Sequence, residues 1–279
     1  MIDGFRSWRT LRRSATDDAD ALLPCSEASN TIKLPMRFQP SWRIIGSGLA
    51  AFMLMWLLIL ISPLPALELD LLRWITSIRI DSLNTAAIWI TNAGSLNILV
   101  PSALLVAAGL AWKRHWRLGA LFLATILWYP ALLPVRLLIG REAPKAELRS
   151  PTKGVIYIAE APIERAGLRP TASTEQPEAA PSPAKWYEPL LRLLYRGLTR
   201  SFPSNHAAAS GYFFGLCLSL AWGGGRRILA GGFAILILCI GLSRIYMGVH
   251  YPSDVLASWG LALAALGTGV TPLMKRQFR

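Results

Sequence analysis

Long apolar runs separated by short polar segments dominate the pattern of hydrophobic positions along this chain. The first run, residues 44–66, contains no charged residue. At about 1.5 Å per residue of helix, it is long enough to cross the roughly 30 Å of hydrocarbon in a bilayer. Similar runs follow at about 97–112, 118–139, 206–222, 228–247 and 254–272. The run at 97–112 is the weakest, and it can begin earlier, within residues 84–95. The pattern predicts an all-α, polytopic membrane protein with six transmembrane helices.

The polar segments divide the chain into a tail, a membrane domain and one long insertion. Residues 1–42 predict a cytoplasmic N-terminal tail, and the six-helix domain follows over 43–279. Residues 141–203 interrupt that domain between the third and fourth helices, where a Pro-rich composition predicts an external loop. Within the insertion, about 186–200, Leu and Arg each recur every four positions. This spacing predicts an amphipathic helix on the outer leaflet, with a solvated loop helix as the alternative.

Composition and charge favour a membrane protein over a soluble one. Apolar residues make up 53% of the chain and charged residues 16%, whereas soluble proteins carry about a quarter charged residues. The net charge of +13 would also suit a nucleic-acid-binding protein. However, basic residues concentrate in the tail and in the segments 112–117, 223–227 and 275–279. The positive-inside rule places these segments and both termini in the cytoplasm, so we expect no nucleic-acid partner.

This orientation gathers a set of polar side chains at one membrane face. The third and fifth spans would end outside, and the fourth and sixth would begin there. Ionisable groups at membrane depth are functional candidates. The external ends of these spans carry Arg136, Arg141, Ser204, His206, Arg244, His250 and Asp254.

The chemistry of these side chains suits phosphoryl transfer. Ser204 is a candidate helix N-cap, so the amides of Asn205 and His206 can bind an anion, and the arginines bring guanidinium groups that match phosphate oxygens. His250 and Asp254 are four residues apart and share a helix face. The carboxylate can hold one imidazole nitrogen and leave the other as a nucleophile. His206 can protonate a leaving oxygen.

A metal or redox centre is not expected. The three cysteines have no CxxC spacing and no histidine partner, and they are interpreted as small apolar fillers. The three histidines show no metal-ligand spacing. We therefore expect no cofactor.

Three segments resemble the signatures of the type 2 phosphatidic acid phosphatase (PAP2) superfamily, which includes membrane lipid phosphatases and soluble vanadium haloperoxidases. Residues 243–254 match S-R-x5-H-x3-D, and residues 203–206 read P-S-N-H. Residues 136–144 are similar to K-x6-R-P, with arginine in place of lysine and alanine in place of arginine. The resemblance covers residues 44–272, except most of 145–200.

The resemblance implies a role for each residue at a matching position. His250 would be the nucleophile, Asp254 would orient it, and His206 would protonate the leaving group. The family's phosphate-binding guanidinium is missing at Ala143, and we expect Arg141 to supply that contact. Residues from all three signatures would hold the phosphate without a metal, namely Arg136, Ser204, Asn205 and Arg244.

We therefore predict a membrane lipid phosphatase, in a bacterial inner membrane, with its site on the periplasmic or extracellular side. It would hydrolyse a lipid phosphate or diphosphate, of the undecaprenyl diphosphate, phosphatidate, phosphatidylglycerophosphate or lipid A type, through a phosphohistidine. Its partners would be that substrate and membrane lipids, with no obligate protein partner.

Several alternatives to this function stay open. A lipid-to-lipid phosphotransferase would use the same site, and a degenerate PAP2-like protein would bind without catalysis. A haloperoxidase is disfavoured because those relatives are soluble. A non-enzymatic channel or transporter is disfavoured because it would need polar residues at mid-span, whereas here they cluster at one face.

Overall fold

The structure is a computed structural model that describes residues 40–61, 64–149, 193, 197 and 199–269. The described residues form helices and no strand, apart from one isolated antiparallel bridge between Glu142 and Arg200. The all-α prediction is confirmed for this part of the chain. The predicted N-terminal tail and most of the predicted interfacial helix at 186–200 lie outside the described residues.

The α-helices of the described residues are numbered here in chain order. Short 3-10 segments lie at Ala124–Leu127 and at Ala146–Leu148. The α-helices are α1 Trp42–Ile61, α2 Leu64–Ser77, α3 Asp81–Ala93, α4 Leu96–Trp112, α5 Trp116–Leu123, α6 Trp128–Ile139, α7 Asn205–Gly223, α8 Arg227–Tyr246 and α9 Pro252–Gly269.

Each predicted span coincides with one of these helices or with a joined pair. The predicted span 44–66 ends earlier than expected, at Ile61, because the residues from Leu64 onward already belong to the separate helix α2. The span predicted at 118–139 consists of α5, the 3-10 turn and α6. The weak run at 97–112 does begin earlier, since α3 and α4 form a continuous apolar stretch.

The chain is an integral membrane protein. Four helical stretches among the described residues are long and apolar enough to cross a membrane: Trp42–Ile61, Asp81–Trp112, Trp116–Ile139 and Arg227–Tyr246. They leave many large apolar side chains exposed, as expected for helices that face lipid rather than water. Helices α7 and α9 are less apolar, so the six-span count stays a prediction.

The lower hydropathy of α7 and α9 follows from their place inside the bundle. Most residues of α7 are buried, and its first turns are built from Ala and Ser. Helix α9 packs against α1 at two glycines, where a Cβ on Gly260 would lie 2.7 Å from the carbonyl oxygen of Gly48. Small residues allow helix backbones to approach this closely. Because these helices meet protein on most sides, they do not need a lipid-facing surface.

Candidate active site

The N-terminus of α7 supplies the first part of the site. Ser204 is the N-cap predicted from the sequence, and its Oγ accepts a hydrogen bond from the amide of Ala207 at 3.4 Å. Both Ser204 and Asn205 are buried. The first amides of a helix have no acceptor within the helix, and the helix dipole favours an anion there. This end of α7 is therefore suited to bind phosphate oxygens.

The C-terminal end of α8 supplies a buried cation and then turns the chain towards α9. Arg244 donates a hydrogen bond from Nη1 to Oγ1 of Thr91 on α3 at 3.1 Å, and both residues are buried. Gly248 follows with φ +67°, and a Cβ there would overlap the backbone of Leu148. Glycine is the residue that takes this conformation without strain. His250 follows this turn two residues later and lies in the site.

The start of α9 joins the predicted nucleophile to the predicted carboxylate. Nδ1 of His250 lies 3.5 Å from Oδ2 of Asp254, so the spacing of four residues does bring the two together. This separation is an ion-pair distance rather than a short hydrogen bond. Oδ2 also accepts a hydrogen bond from the amide of Tyr251 at 2.9 Å. Asp254 is fully buried, and its carboxylate faces the imidazole ring.

Burial keeps His250 neutral at ordinary pH. It lowers the pKa of His250 from 6.5 to about 4, against the opposing effect of Asp254, and Arg244 and Arg136 lower it further. A neutral imidazole has a lone pair on one nitrogen. With Nδ1 turned to Asp254, that lone pair is on Nε2, the nitrogen that can attack an electrophile.

Helix α6 contributes Arg136 and an aromatic residue that the sequence did not single out. Arg136 is buried in the last turn of α6, and its guanidinium donates to the carbonyl oxygens of Pro203, at 3.1 Å, and Gly197, at 3.4 Å. It therefore lies beside the chain that enters α7. Tyr129 lies two turns earlier, with its ring edge-on to His206 at a centroid distance of 6.3 Å. Its hydroxyl is buried and has no hydrogen-bond partner among the described residues.

Arg141 makes a dense set of contacts to α9 and α2. Its Nη1 donates to Oγ of Ser253 at 2.6 Å and to Oδ1 of Asp254 at 2.8 Å. Its Nη2 donates to Oε2 of Glu68 at 2.6 Å. The guanidinium carbon also lies 4.0 Å from the centroid of the Tyr251 ring. The expected contact of Arg141 with phosphate stays a prediction, whereas its contacts with these side chains are direct.

Glu68 was missed by the sequence interpretation, which singled out no residue between the first and second apolar runs. The residue lies on α2, is 3% exposed, and accepts a hydrogen bond at Oε1 from the amide of Ser253 at 2.6 Å. A signal was present in the sequence, because Glu68 is four residues before Leu72 and shares the buried face of α2 with it. A carboxylate on the apolar face of a helix is a candidate for a specific partner.

The two ends of the insertion meet beside the site. The amide of Ser201 donates to the carbonyl oxygen of Arg141 at 2.9 Å, and the hydroxyl of Ser201 donates to the carbonyl oxygen of Glu142 at 3.1 Å. Ala143, which stands where the family has arginine, is half-buried directly after this pairing. The segment that carries Arg141 is thus attached to the segment that enters α7.

The cluster as a whole can bind an anion and attack it. The guanidinium groups of Arg136 and Arg244 interact electrostatically with His250. Arg136 donates to the carbonyl oxygen of Pro203, and the amide of Ser204 donates to that of Asp254, so the three segments lie together. No group of three or more His, Cys, Asp or Glu side chains within the described ranges is arranged to hold a metal ion.

Known proteins share parts of this sequence and fold. The sequence model of the PAP2 superfamily matches residues 165–278, which include the segments 203–206 and 243–254. The fold is similar to the crystal structure of a transmembrane PAP2-type phosphatidylglycerolphosphate phosphatase from Bacillus subtilis, with a TM-score of 0.56, 19% sequence identity, and coverage of 84% of this chain and 98% of that chain. No curated protein matches the chain. The first match is one of sequence, and the second shows a shared fold.

Proposed function

We propose that this chain is a membrane lipid phosphatase, because residues 165–278 match the sequence model of the PAP2 superfamily, whose signatures the sequence resembles. Its substrate would be a lipid phosphomonoester or the terminal phosphate of a lipid diphosphate. The observation that carries the proposal is the buried His250–Asp254 pair beside Arg136 and Arg244. The helices that hold these arginines, α6 and α8, belong to apolar stretches that can cross a membrane. A lipid headgroup can reach the site from the bilayer while its chains stay in hydrocarbon.

The first chemical step transfers the phosphoryl group to the protein. Nε2 of neutral His250 attacks phosphorus, and the bond from phosphorus to the lipid oxygen breaks. His206 gives its proton to that oxygen, and the lipid alcohol, or the shorter lipid phosphate, leaves. Asp254 stabilises the positive charge that develops on the imidazole ring of His250.

The second step returns the protein to its starting state. His206, now neutral, takes a proton from a water molecule, whose oxygen attacks the phosphohistidine. The bond between phosphorus and Nε2 breaks, and inorganic phosphate is released. Arg136, Arg244 and the first amides of α7 stabilise the equatorial oxygens in both steps, which is where phosphoryl transfer concentrates its charge. No step requires a metal ion.

We place the site on the periplasmic or extracellular face of a bacterial inner membrane, with both termini in the cytoplasm. The support for this orientation is the distribution of basic residues. The connections at 112–117 and 223–227 contain Lys and Arg but no acidic residue, and both lie at the opposite ends of the helices that carry the site. The positive-inside rule puts such short connections in the cytoplasm.

Phosphate release by the purified full chain tests the proposed function. We expect release from at least one lipid phosphate in a panel that covers prenyl diphosphate, phosphatidate, phosphatidylglycerophosphate and lipid A, with activity retained in EDTA. The His250→Ala variant should lose activity by several orders of magnitude. The matched control is His115→Ala, since His115 lies in the connection at the other end of the bundle.

Three outcomes would redirect the proposal. Transfer of label from the substrate to a second lipid rather than to water would identify a phosphotransferase on the same site. A wild type that binds lipid phosphates but turns over none would identify a non-catalytic member of the family. Full activity of His250→Ala would rule out a phosphohistidine intermediate at this residue.

A further inference from the structure

A buried ionic chain runs from α2 to the catalytic carboxylate. Glu68 contacts Arg141 through Oε2 at 2.6 Å, and Arg141 contacts Asp254 through Nη1 at 2.8 Å. The side chains of Glu68, Arg141 and Asp254 are 3%, 10% and 0% exposed. One guanidinium group thus joins two carboxylates, and the three residues come from distant parts of the sequence.

Burial makes this arrangement costly unless each charge is satisfied. An isolated carboxylate in a protein interior is penalised by several kcal/mol, and pairing with good geometry offsets that penalty. Both oxygens of Glu68 have a partner, namely Arg141 and the amide of Ser253. An apolar residue at position 68 would fill the same face of α2 without a desolvation penalty. The carboxylate is therefore better explained by what it does to its partners than by the folding of α2.

The contacts of Arg141 restrict the orientation of Asp254. Oδ1 of Asp254 accepts from Arg141, and Oδ2 accepts from the amide of Tyr251 and faces Nδ1 of His250. With both oxygens engaged, the carboxylate cannot rotate without losing a charged contact. Glu68 and the ring of Tyr251 hold Arg141 in turn.

The same contacts direct Arg141 away from a phosphate-binding role. Both hydrogens of Nη1 are used by Ser253 and Asp254, and Nη2 donates to Glu68. A bidentate contact with phosphate needs two parallel N–H donors on one edge of the guanidinium. The edge formed by Nη1 and Nη2 is already committed to α9 and α2, so a bidentate contact would have to use the edge formed by Nε and Nη2 while Nη2 still holds Glu68.

We propose that Glu68 and Arg141 are positioning residues that hold Asp254 against His250 for the proposed phosphoryl transfer. Glu68 fixes Arg141 and neutralises its charge, so that Asp254 keeps its full negative charge for the imidazolium that forms during attack. The inference rests on the proposed function for its kinetic consequence, but its structural consequence for His250 does not depend on turnover.

The test compares Glu68→Gln with Asp70→Asn. Glutamine has the size of glutamate, and its oxygen can still accept from Ser253, but this turns its amide NH2 group towards Arg141. Asp70 lies on the same helix, is exposed, and pairs with Arg73 at the surface, so Asp70→Asn makes the same charge change away from the site. We expect kcat of Glu68→Gln to fall about 10- to 100-fold with KM within about twofold of wild type. Asp70→Asn should match wild type, and Glu68→Asp should recover part of kcat.

A second readout examines His250 directly and does not need a substrate. The chain has three histidines, so 15N labelling of histidine gives a spectrum that His115→Gln and His206→Gln variants can assign. At neutral pH we expect wild-type His250 to carry its proton on Nδ1, facing Asp254. In Glu68→Gln, a measurable fraction should shift to the tautomer protonated on Nε2, because Arg141 loses its bond to Glu68 and holds Asp254 less firmly.

The two readouts separate the inference from the proposed function. A wild type without phosphatase activity would overturn the proposed function, and the tautomer shift would still support or overturn the positioning role. The role is overturned if Glu68→Gln leaves the His250 tautomer unchanged. It is also overturned if KM rises while kcat is unaffected, since that result would mean a contact with substrate.

Discussion

The backbone amide of Ser204 donates a hydrogen bond to the carbonyl oxygen of Asp254 at 3.4 Å. This contact ties the N-terminus of α7, the candidate phosphate cradle, to the first turn of α9, which carries the carboxylate that faces His250. Ser204 and Asp254 are both fully buried, so water does not compete for the contact. The contact therefore links the anion-binding half of the site to the nucleophilic half, and we expect a change in one half to affect the other.

Asp254→Asn should lower kcat by about 10²- to 10⁴-fold while KM changes little. The variant keeps the size of the side chain but removes the charge that stabilises imidazolium, and its amide can hold the wrong tautomer of His250. Steady-state phosphate release measures the change. Activity within about threefold of wild type would show that Asp254 is not coupled to the reaction.

Thr91→Val tests whether α3 orients the phosphate-binding arginine of α8. The substitution removes the hydroxyl that accepts from Arg244 but keeps the volume of the side chain. Because Arg244 has further interactions, we expect a partial loss, about 3- to 20-fold in kcat/KM, from the loss of one hydrogen bond to a charged group. The matched control is Thr85→Val, since the hydroxyl of Thr85 bonds to its own helix at an exposed position. An equal loss in both variants would assign the effect to α3 itself.

Acid should destabilise the folded protein through His250. The pKa of His250 is lowered to about 4 in the fold, mainly by burial, from 6.5 in the unfolded chain. Between these two values the unfolded chain binds more protons, so stability falls as pH falls through this window, by an amount on the order of 3 kcal/mol at most. The Tm in detergent should therefore drop from pH 7 to pH 4.5, and less steeply for His250→Gln. Parallel slopes for wild type and variant would contradict the assignment.

The helices and the local pairings were predictable from the sequence because they depend on short-range patterns. An uncharged run predicts α1, a serine before a helix predicts the N-cap at Ser204, and a spacing of four predicts that His250 meets Asp254. The first predicted span extends to Ala66, whereas α1 ends at Ile61. The difference arises because the apolar run continues into α2.

The partners of Arg141 were not predictable in the same way. Glu68 and Ser253 are 185 residues apart in the sequence and hydrogen-bond through Oε1 and an amide, and no periodic pattern encodes such a meeting. It depends on how α2 packs at the start of α9, which is a tertiary property. The same holds for Tyr129, whose ring lies against His206 across two helices.

Fusion of alkaline phosphatase should report the orientation of the membrane domain. We expect activity for a fusion after residue 170, within the predicted external insertion, and no activity after residue 224, in the basic connection between α7 and α8. The physical reason is the excess of Lys and Arg in short connections on the cytoplasmic side. The reverse pattern would move the site to the cytoplasmic face and overturn the proposed location.

Ala143→Arg should raise kcat/KM for the lipid phosphate substrate in an otherwise wild-type chain. The family has a guanidinium at this position, and a charge-assisted contact of that kind is worth about 1.5–3 kcal/mol, or one to two decades in kcat/KM. Ala143 is half-buried and follows the paired segment beside the site, so a longer side chain there need not be forced into a closed core. Ala143→Lys is the control for charge without bidentate geometry.

The double variant Arg141→Ala with Ala143→Arg separates the two roles considered for Arg141. If Arg141 supplies the phosphate contact that Ala143 lacks, the new guanidinium should restore much of the activity lost in Arg141→Ala, mainly through KM. If Arg141 positions Asp254, as its bonds to Glu68, Ser253 and Asp254 indicate, the loss lies in kcat and Ala143→Arg cannot replace it. We expect the second result, with kcat of the double variant within about threefold of Arg141→Ala alone. Recovery of kcat to near the wild-type value would instead show that Arg141 contacts the phosphate.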